Sequence, residues 1–300
     1  MNHKQMIPIE DPKDERIAVY TKYHEPQLLH YYEPHPGIFI AETPMIIERA
    51  LEKGLKPLSF FLEEEAREKE EVQRVLSRIS FGAKDEEEEE KLAVDACKAS
   101  DVPIYVASHA LMRQITGYEL TRGMLAAFRR PDPIAPGKLL EQAGCIAVLE
   151  DVENPTNVGA IFRSAAALGV DGILLASGSS DPYYRRAARV SMGTVFQIPW
   201  TYVPAGVETA DLLHENGFSV ISMALEEGAI PLSDPVLKKE QKKAIIFGSE
   251  GYGIRRQTLE KSDHIVIIPM EKGVDSLNVA ASSAVTFWEL CGKNDTNKRL

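Results

Sequence analysis

The feature that most constrains this chain is a series of short, unbroken apolar runs in its second half. They are "CIAVLE" at 145–150, "GILLA" at 172–176, "FSVISM" at 218–223, "AIIFG" at 244–248 and "HIVIIP" at 264–269. A strand wetted on one face alternates apolar and polar residues, whereas a strand covered on both faces is apolar throughout, as in parallel sheets flanked by helices. Helical patterns separate the runs at 157–168, near Tyr183–Ser191, at 207–215 and from Ser276 to about Leu290, and "VFQIPW" at 195–200 reads as one more strand. The alternation predicts a doubly wound α/β domain, with ligands at the carboxyl ends of its strands.

The first half alternates too. Strands at Ile38–Ile40 and Leu58–Leu62 flank a helix with Thr43 as N-cap, Pro44 at its first position and Gly54 past its end, a βαβ unit. A charged helix around Arg67–Ile79 follows. The acidic run inside 84–100 suits a solvated loop or a first helical turn, and "VPIYVA" reads as a strand. The stretch "RRPDPIAPGK" at 129–138 packs three Pro and a Gly together, which neither a helix interior nor a central strand tolerates. A smaller α/β domain at 1–130, a linker at 131–138 and a second domain at 139–300 are expected.

With 300 residues and 44% hydrophobic content the chain can bury two cores, and its formal net charge is −11. An acidic total disfavours nucleic acid as a partner, so any such contact falls to local clusters. These are Arg129 with Arg130, then Arg185, Arg186 and Arg189, then Arg255 with Arg256, each of which also reads as a solvated face. Cys97, Cys145 and Cys291 are odd in number and lack C-x-x-C spacing, which predicts free thiols in a reducing compartment, a cytoplasmic location and no metal site. His30 and His35 read as surface or packing residues. The first residues lack a signal-peptide core and no apolar run approaches membrane-spanning length.

Three stretches at expected strand ends carry residues that core packing does not need. In "NPTNVGAIFRSAAALG" (154–169), Pro155 pre-sets a turn, Asn157 is placed to cap a helix or meet a ligand, and Arg163 shares a face with Gly159, Ala160, Ala166 and Ala167. In "IIFGSEGYGIRR" (245–256), Gly248, Gly251 and Gly253 let the backbone approach a ligand and Glu250 is the one acid of the turn. The spacing is not the dinucleotide G-x-G-x-x-G, and Phe247 excludes a nucleophile elbow at Ser249. In "IIPMEKGVDSLNVAASSAV" (267–285), Ser276 and Asn278 stand at the start of a helix of small residues, with Ser276 readable as its N-cap.

Taken in order, N-x-x-x-x-x-R-x-A-x-x-x-G, G-S-E-G-x-G, and I-P-M followed by S-L-N-V, the three stretches resemble the motif set of the SpoU (TrmH-type) branch of the SPOUT RNA methyltransferases. The resemblance covers 145–290 well. "ERALEKGLKPLSFFL" and "LTRGMLAAFRRP" are similar, more weakly, to the L7Ae/L30-like substrate-binding domain that often precedes this catalytic domain. The resemblance implies a trefoil-knotted, mostly parallel sheet with helices on both faces and a homodimer with its active site at the interface. It also implies methyl transfer from S-adenosylmethionine to a ribose 2′-hydroxyl of structured RNA, ribosomal RNA before transfer RNA, without a metal. Asn157 and Arg163 match the first motif's functional pair, Glu250 the second motif's acid, and Ser276 with Asn278 the third's polar pair. Cofactor contacts fall on Gly248, Ile268 and Leu277, with Met270 and Gly253 beside them.

Arg is essentially never deprotonated in proteins. Arg163 is therefore expected to grip an RNA phosphate bidentately and stabilise the developing alkoxide, rather than to act as the base. Glu250 is expected to fix the glycine turn or a neighbouring Arg, and the thinness of helix 157–168 to leave room for RNA or a second subunit. Arg129, Arg185, Arg186 and Arg189 are candidate phosphate contacts. The alternatives are a base-methylating member of the superfamily, a nucleotide-dependent oxidoreductase and a non-catalytic RNA-binding protein. The first lacks the Arg and S-L-N pattern, the second lacks its fingerprint, and the third would not need the full polar set.

Overall fold

The computed structural model describes residues 6–81, 102–116, 122–176, 178–273 and 276–291. The acidic run, Cys97 and the first residues of "LTRGMLAAFRRP" lie outside the described residues. Two compact units divide the chain, Met1–Asp132 and Pro133–Leu300.

The first unit holds β1 (Met6–Pro8), β2 (Ile38–Glu42), β3 (Pro57–Glu63), β4 (Ile104–Ala107) and β5 (Met124–Arg129), with α1 (Ala18–Thr21), α2 (Glu25–Leu29), α3 (Pro44–Glu52), α4 (Glu70–Phe81) and α5 (His109–Thr116). Its sheet runs β1-β4-β3-β5-β2, and β5 is antiparallel to both neighbours. The β2–α3–β3 crossover exists, but β5 separates its two strands. Thr43 does precede Pro44, yet its side chain makes no capping bond and its φ is +80°.

The second unit contains α6 (Pro136–Gln142), β6 (Cys145–Leu149), α7 (Pro155–Leu168), β7 (Gly172–Leu175), α8 (Arg185–Val190), β8 (Trp200–Tyr202) and α9 (Thr209–Glu215). There follow β9 (Ser219–Met223), β10 (Ile230–Pro231), α10 (Pro235–Lys239), β11 (Lys243–Phe247), α11 (Arg256–Glu260), β12 (His264–Ile267) and α12 (Val279–Leu290). The sheet order is β10-β12-β9-β11-β6-β7-β8 and every pairing is parallel. All of β6 and β7 is buried, as are four of the five residues of β11, so the unbroken apolar runs mark strands covered on both faces.

Several boundaries differ from the sequence expectation for local reasons. The expected strand 195–200 is a 3₁₀ turn at Thr194–Phe196, closed by the Trp200 indole N–H on the Val195 carbonyl at 3.2 Å, and pairing begins only at Trp200. The stretch expected as a linker ends inside α6, because a proline that breaks a helix interior suits its first position. Cys145 and Cys291, expected as free thiols, are joined in a disulfide, since α12 ends beside the start of β6 with the two Cα atoms 6.1 Å apart. The knot implied by the resemblance concerns the path from β12 to α12, of which residues 274–275 lie outside the described residues.

Candidate active site at three strand ends

The three stretches converge on one side chain. Asn278 is the N-cap of α12, its Oδ1 accepting the Ala280 amide at 2.9 Å, so the helix is capped by Asn278 and not by Ser276. The same residue's Nδ2 donates to Asn157 Oδ1 at 3.1 Å and to Glu250 Oε1 at 2.5 Å. A carboxamide nitrogen carries two hydrogens, and each has an acceptor here. Segments following β6, β11 and β12 are thereby tied at one point, on the carboxyl side of three strands. Asn157 accepts without capping α7, because Asn154 holds the cap position, accepting the Thr156 amide at 2.9 Å, and Asn157 lies buried in the first turn.

The glycine turn closes on itself. Ser249 and Gly253 exchange backbone bonds of 3.1 and 3.0 Å, and the Tyr252 amide donates to Ser249 Oγ at 3.0 Å. A Cβ on Gly248 would stand 2.3 Å from the Gly253 carbonyl, so the turn itself requires that glycine, and Gly253 sits at φ +69°. Beneath the turn lies Glu150, fully buried at the end of β6. It accepts the Arg255 amide at 2.5 Å and the Thr258 hydroxyl at 2.8 Å, while Arg255 Nε stands 3.3 Å from both Glu150 and Asp151. The Arg-bound acid is therefore Glu150, and Glu250 is held by Asn278 instead. Sequence reasoning missed Glu150, although a carboxylate closing the apolar run "CIAVLE" is a signal in itself, since a buried charge needs partners.

Arg163 is exposed and forms no hydrogen bond or ion pair with a described residue. At 3.6 residues per turn, the six positions from Asn157 rotate Arg163 about 120° away from it around α7. The small residues of α7 have two separate uses. Gly159 faces α8, where a Cβ would lie 2.5 Å from the Ala187 carbonyl, so that part of the thinness serves helix packing and not an open site. Ala166 and Ala167 lie exposed with Arg163. Helix α12 runs alongside α7 in the same direction, their starts meeting at Asn157 and Asn278 and their ends at Gly169 and Cys291. It leaves Ala281, Val285 and Trp288 open at helical spacing, the last 67% exposed.

Just past the end of β12, Ile268 and Met270 are half-buried, and Leu277, which precedes Asn278, is 38% exposed. Ser276 is exposed and without a hydrogen bond to a described residue. On α8, Arg186 and Arg189 are exposed and Arg185 half-buried, and Arg186 Nε donates to Thr156 Oγ1 at 2.7 Å, next to Asn157. Arg129 belongs to the other unit. Among the described residues no group of three His, Cys, Asp or Glu could hold a metal, and no helix is long and apolar enough to cross a membrane.

The SpoU rRNA methylase family matches residues 144–288. An uncharacterised tRNA/rRNA methyltransferase of Mycobacterium bovis is 31% identical over 280 residues, spanning 93% of this chain and 89% of the relative. The 23S rRNA (guanosine-2′-O-)-methyltransferase RlmB of Acinetobacter baylyi is 26% identical over 228 residues, spanning 74% of this chain and 90% of that protein. In fold, the chain is similar to an AdoMet-bound rRNA methyltransferase from Sinorhizobium meliloti, with a TM-score of 0.74 at 20% identity over 95% of this chain and 97% of that one.

Proposed function

Because the chain belongs to the SpoU rRNA methylase family, we propose that it transfers a methyl group from S-adenosylmethionine to a ribose 2′-hydroxyl of structured RNA. Ribosomal RNA is favoured over transfer RNA, and the protein works as a homodimer, with residues 1–130 selecting the RNA. The observation that carries this reading is the Asn278 junction, in which one carboxamide joins the turns after three parallel strands.

The residues that follow β12 and precede α12 suit the methyl donor. Apolar Ile268, Met270 and Leu277, left partly open, offer walls to an adenine, and the turn from Gly248 to Gly253 offers backbone without side chains. S-adenosylmethionine, when bound, supplies a methyl group on a positively charged sulfur. The protein's own residues then face two demands, to hold the hydroxyl in line for attack and to lower the free energy of the alkoxide as its proton leaves. Asn157, Glu250 and Asn278 hold the turns in register, Arg163 grips the neighbouring phosphate and stabilises the alkoxide, and the proton departs to water, phosphate or Ser276.

The exposed position of Arg163 supports the homodimer part of this reading. Arg163 is exposed about 120° around α7 from Asn157, and among the described residues Ala166 and Ala167 of α7 and Ala281, Val285 and Trp288 of α12 are left exposed as well. A second subunit seated on those residues covers Val285 and Trp288 and offers Arg163 to the partner's junction.

Incubation with labelled S-adenosylmethionine and unmodified total RNA, followed by nuclease digestion and mass spectrometry, tests the assignment. Label on a base would refute ribose methylation. Arg163→Lys is expected to lower transfer strongly, because an ammonium cannot form the two-pronged contact. Full activity in that variant would overturn the bidentate role.

A further inference from the structure

Residues 23–35 of the first unit display an aromatic surface that the core does not consume. Tyr23 and Tyr31 meet edge to face with centroids 5.1 Å apart, and Tyr31 meets Tyr32 in the same way at 5.0 Å. Tyr31 and Tyr32 remain 38% and 40% exposed. Arg129, at the end of β5, holds its guanidinium 5.8 Å from the centre of the Tyr32 ring and forms no ion pair with a described residue. The acid Glu33, next in sequence to Tyr32, has its Oε2 3.7 Å from His30 Nδ1.

We propose that Tyr31, Tyr32 and Arg129 form a platform for an unpaired RNA nucleotide, its base stacked on a tyrosine ring and its phosphate on the guanidinium. The proposal rests on the RNA-methyltransferase reading above and adds a place where the substrate is gripped outside the methyl-transfer site. Rings that pair edge to face keep open faces on which a further flat ring can lie. In a chain of net charge −11, a cation without an acidic partner beside such rings is complementary to a phosphate. Burial, together with the neighbouring phenols of Tyr23 and Tyr32, pushes the Tyr31 hydroxyl above its ordinary value, so it stays uncharged next to an anion. Duplex RNA hides its base faces, so the platform selects loops, bulges and ends.

The test uses the full chain and a short single-stranded oligoribonucleotide carrying 2-aminopurine, whose fluorescence is quenched by stacking. Quenching on binding is expected. Replacing Tyr31→Ala and Tyr32→Ala together should weaken binding roughly tenfold for each ring lost, while Tyr31→Phe with Tyr32→Phe restores it. Arg129→Gln should weaken binding and flatten its salt dependence. Unchanged affinity in the double-alanine protein overturns the platform, as does equal affinity of the natural chain for the matching duplex. A double-alanine protein that loses self-association while keeping its RNA affinity also overturns it. Photocrosslinking of a bromouridine-substituted strand to the unaltered protein keeps the test decisive should a variant not fold, and a crosslink lying wholly outside residues 23–35 and Arg129 refutes the proposal. Labelled methyl transfer by the same natural protein separates the two readings. Transfer without stacking removes only the platform, and stacking without transfer removes only the enzymology.

Discussion

Glu150 offers the sharpest test of how the site is held. The carboxylate is fully buried, and both of its oxygens are used, one by the Arg255 amide and one by the buried Thr258 hydroxyl. Hydrogen bonds to a charged group contribute about 1.5–3 kcal/mol each. The added attraction to Arg255 is small, on the order of 0–1 kcal/mol, because that side chain is 45% exposed. Glu150→Ala removes both bonds, leaves two inward donors unmatched and opens a void, so a loss of about 3–5 kcal/mol is expected. Thr258→Val removes one bond and should cost about 1–2 kcal/mol. At roughly 2–4 °C per kcal/mol for a unit of this size, Glu150→Ala should melt at least about 6 °C lower. Since Arg255 stands two residues past the end of the 248–253 turn, the variant should also bind S-adenosylmethionine more weakly, read by calorimetry below the melting range. A Glu150→Ala protein that melts with the natural chain and binds the donor equally would refute the reasoning that this acid anchors the turn.

Asn278→Ser retains a cap for α12 but cannot bridge, so it should lose methyl transfer while melting close to the natural protein, whereas Asn278→Ala should lose the cap as well, at about 1 kcal/mol. Gly159→Ala gains about 1 kcal/mol in helix propensity, yet its Cβ would stand 2.5 Å from the Ala187 carbonyl, a backbone atom that cannot swing aside. Overpacking of about 1–3 kcal/mol should win and lower the melting temperature, and a more stable variant would show that α8 can move. Acid should destabilise the second unit through two carboxyls. Glu240 is held below its usual value by the Ser219 hydroxyl and then by His264. Burial pushes Asp263 upward, but the Val220 amide and His214 outweigh it and hold it low. A carboxyl depressed in the folded state stabilises above its unfolded value near 4, and that contribution is lost as pH falls through the folded value. The melting temperature should therefore decline as the pH falls below about 4, and less steeply in Glu240→Gln.

Much of the second unit was legible in the sequence because burial on both faces writes itself as an unbroken apolar run. The runs at 145–150, 172–176, 218–223, 244–248 and 264–269 all became parallel strands. The "VFQIPW" run misled because apolar content reports burial and not conformation, and a 3₁₀ turn buries Val195 and Phe196 equally well. Capping was harder. In "NPTN" and in "SLN" two polar residues compete for each helix start, and the choice of Asn154 and Asn278 depends on where the preceding strand delivers the chain. The residues of the three motifs were identified, but not the bonds among them.

The linear order of residues determined that a buried parallel sheet would form and that glycine, asparagine and serine would gather where its strands stop. Those properties are local, since periodicity and turn chemistry act over a few neighbours. Only the folded chain decided that Asn278 would reach Asn157 and Glu250 across 121 and 28 positions, that Glu150 would lock Arg255, that Gly159 would yield to Ala187, and that Cys145 would meet Cys291. Such contacts arise from strand order and helix packing, which bring distant segments within hydrogen-bond range and leave no periodic trace in the sequence.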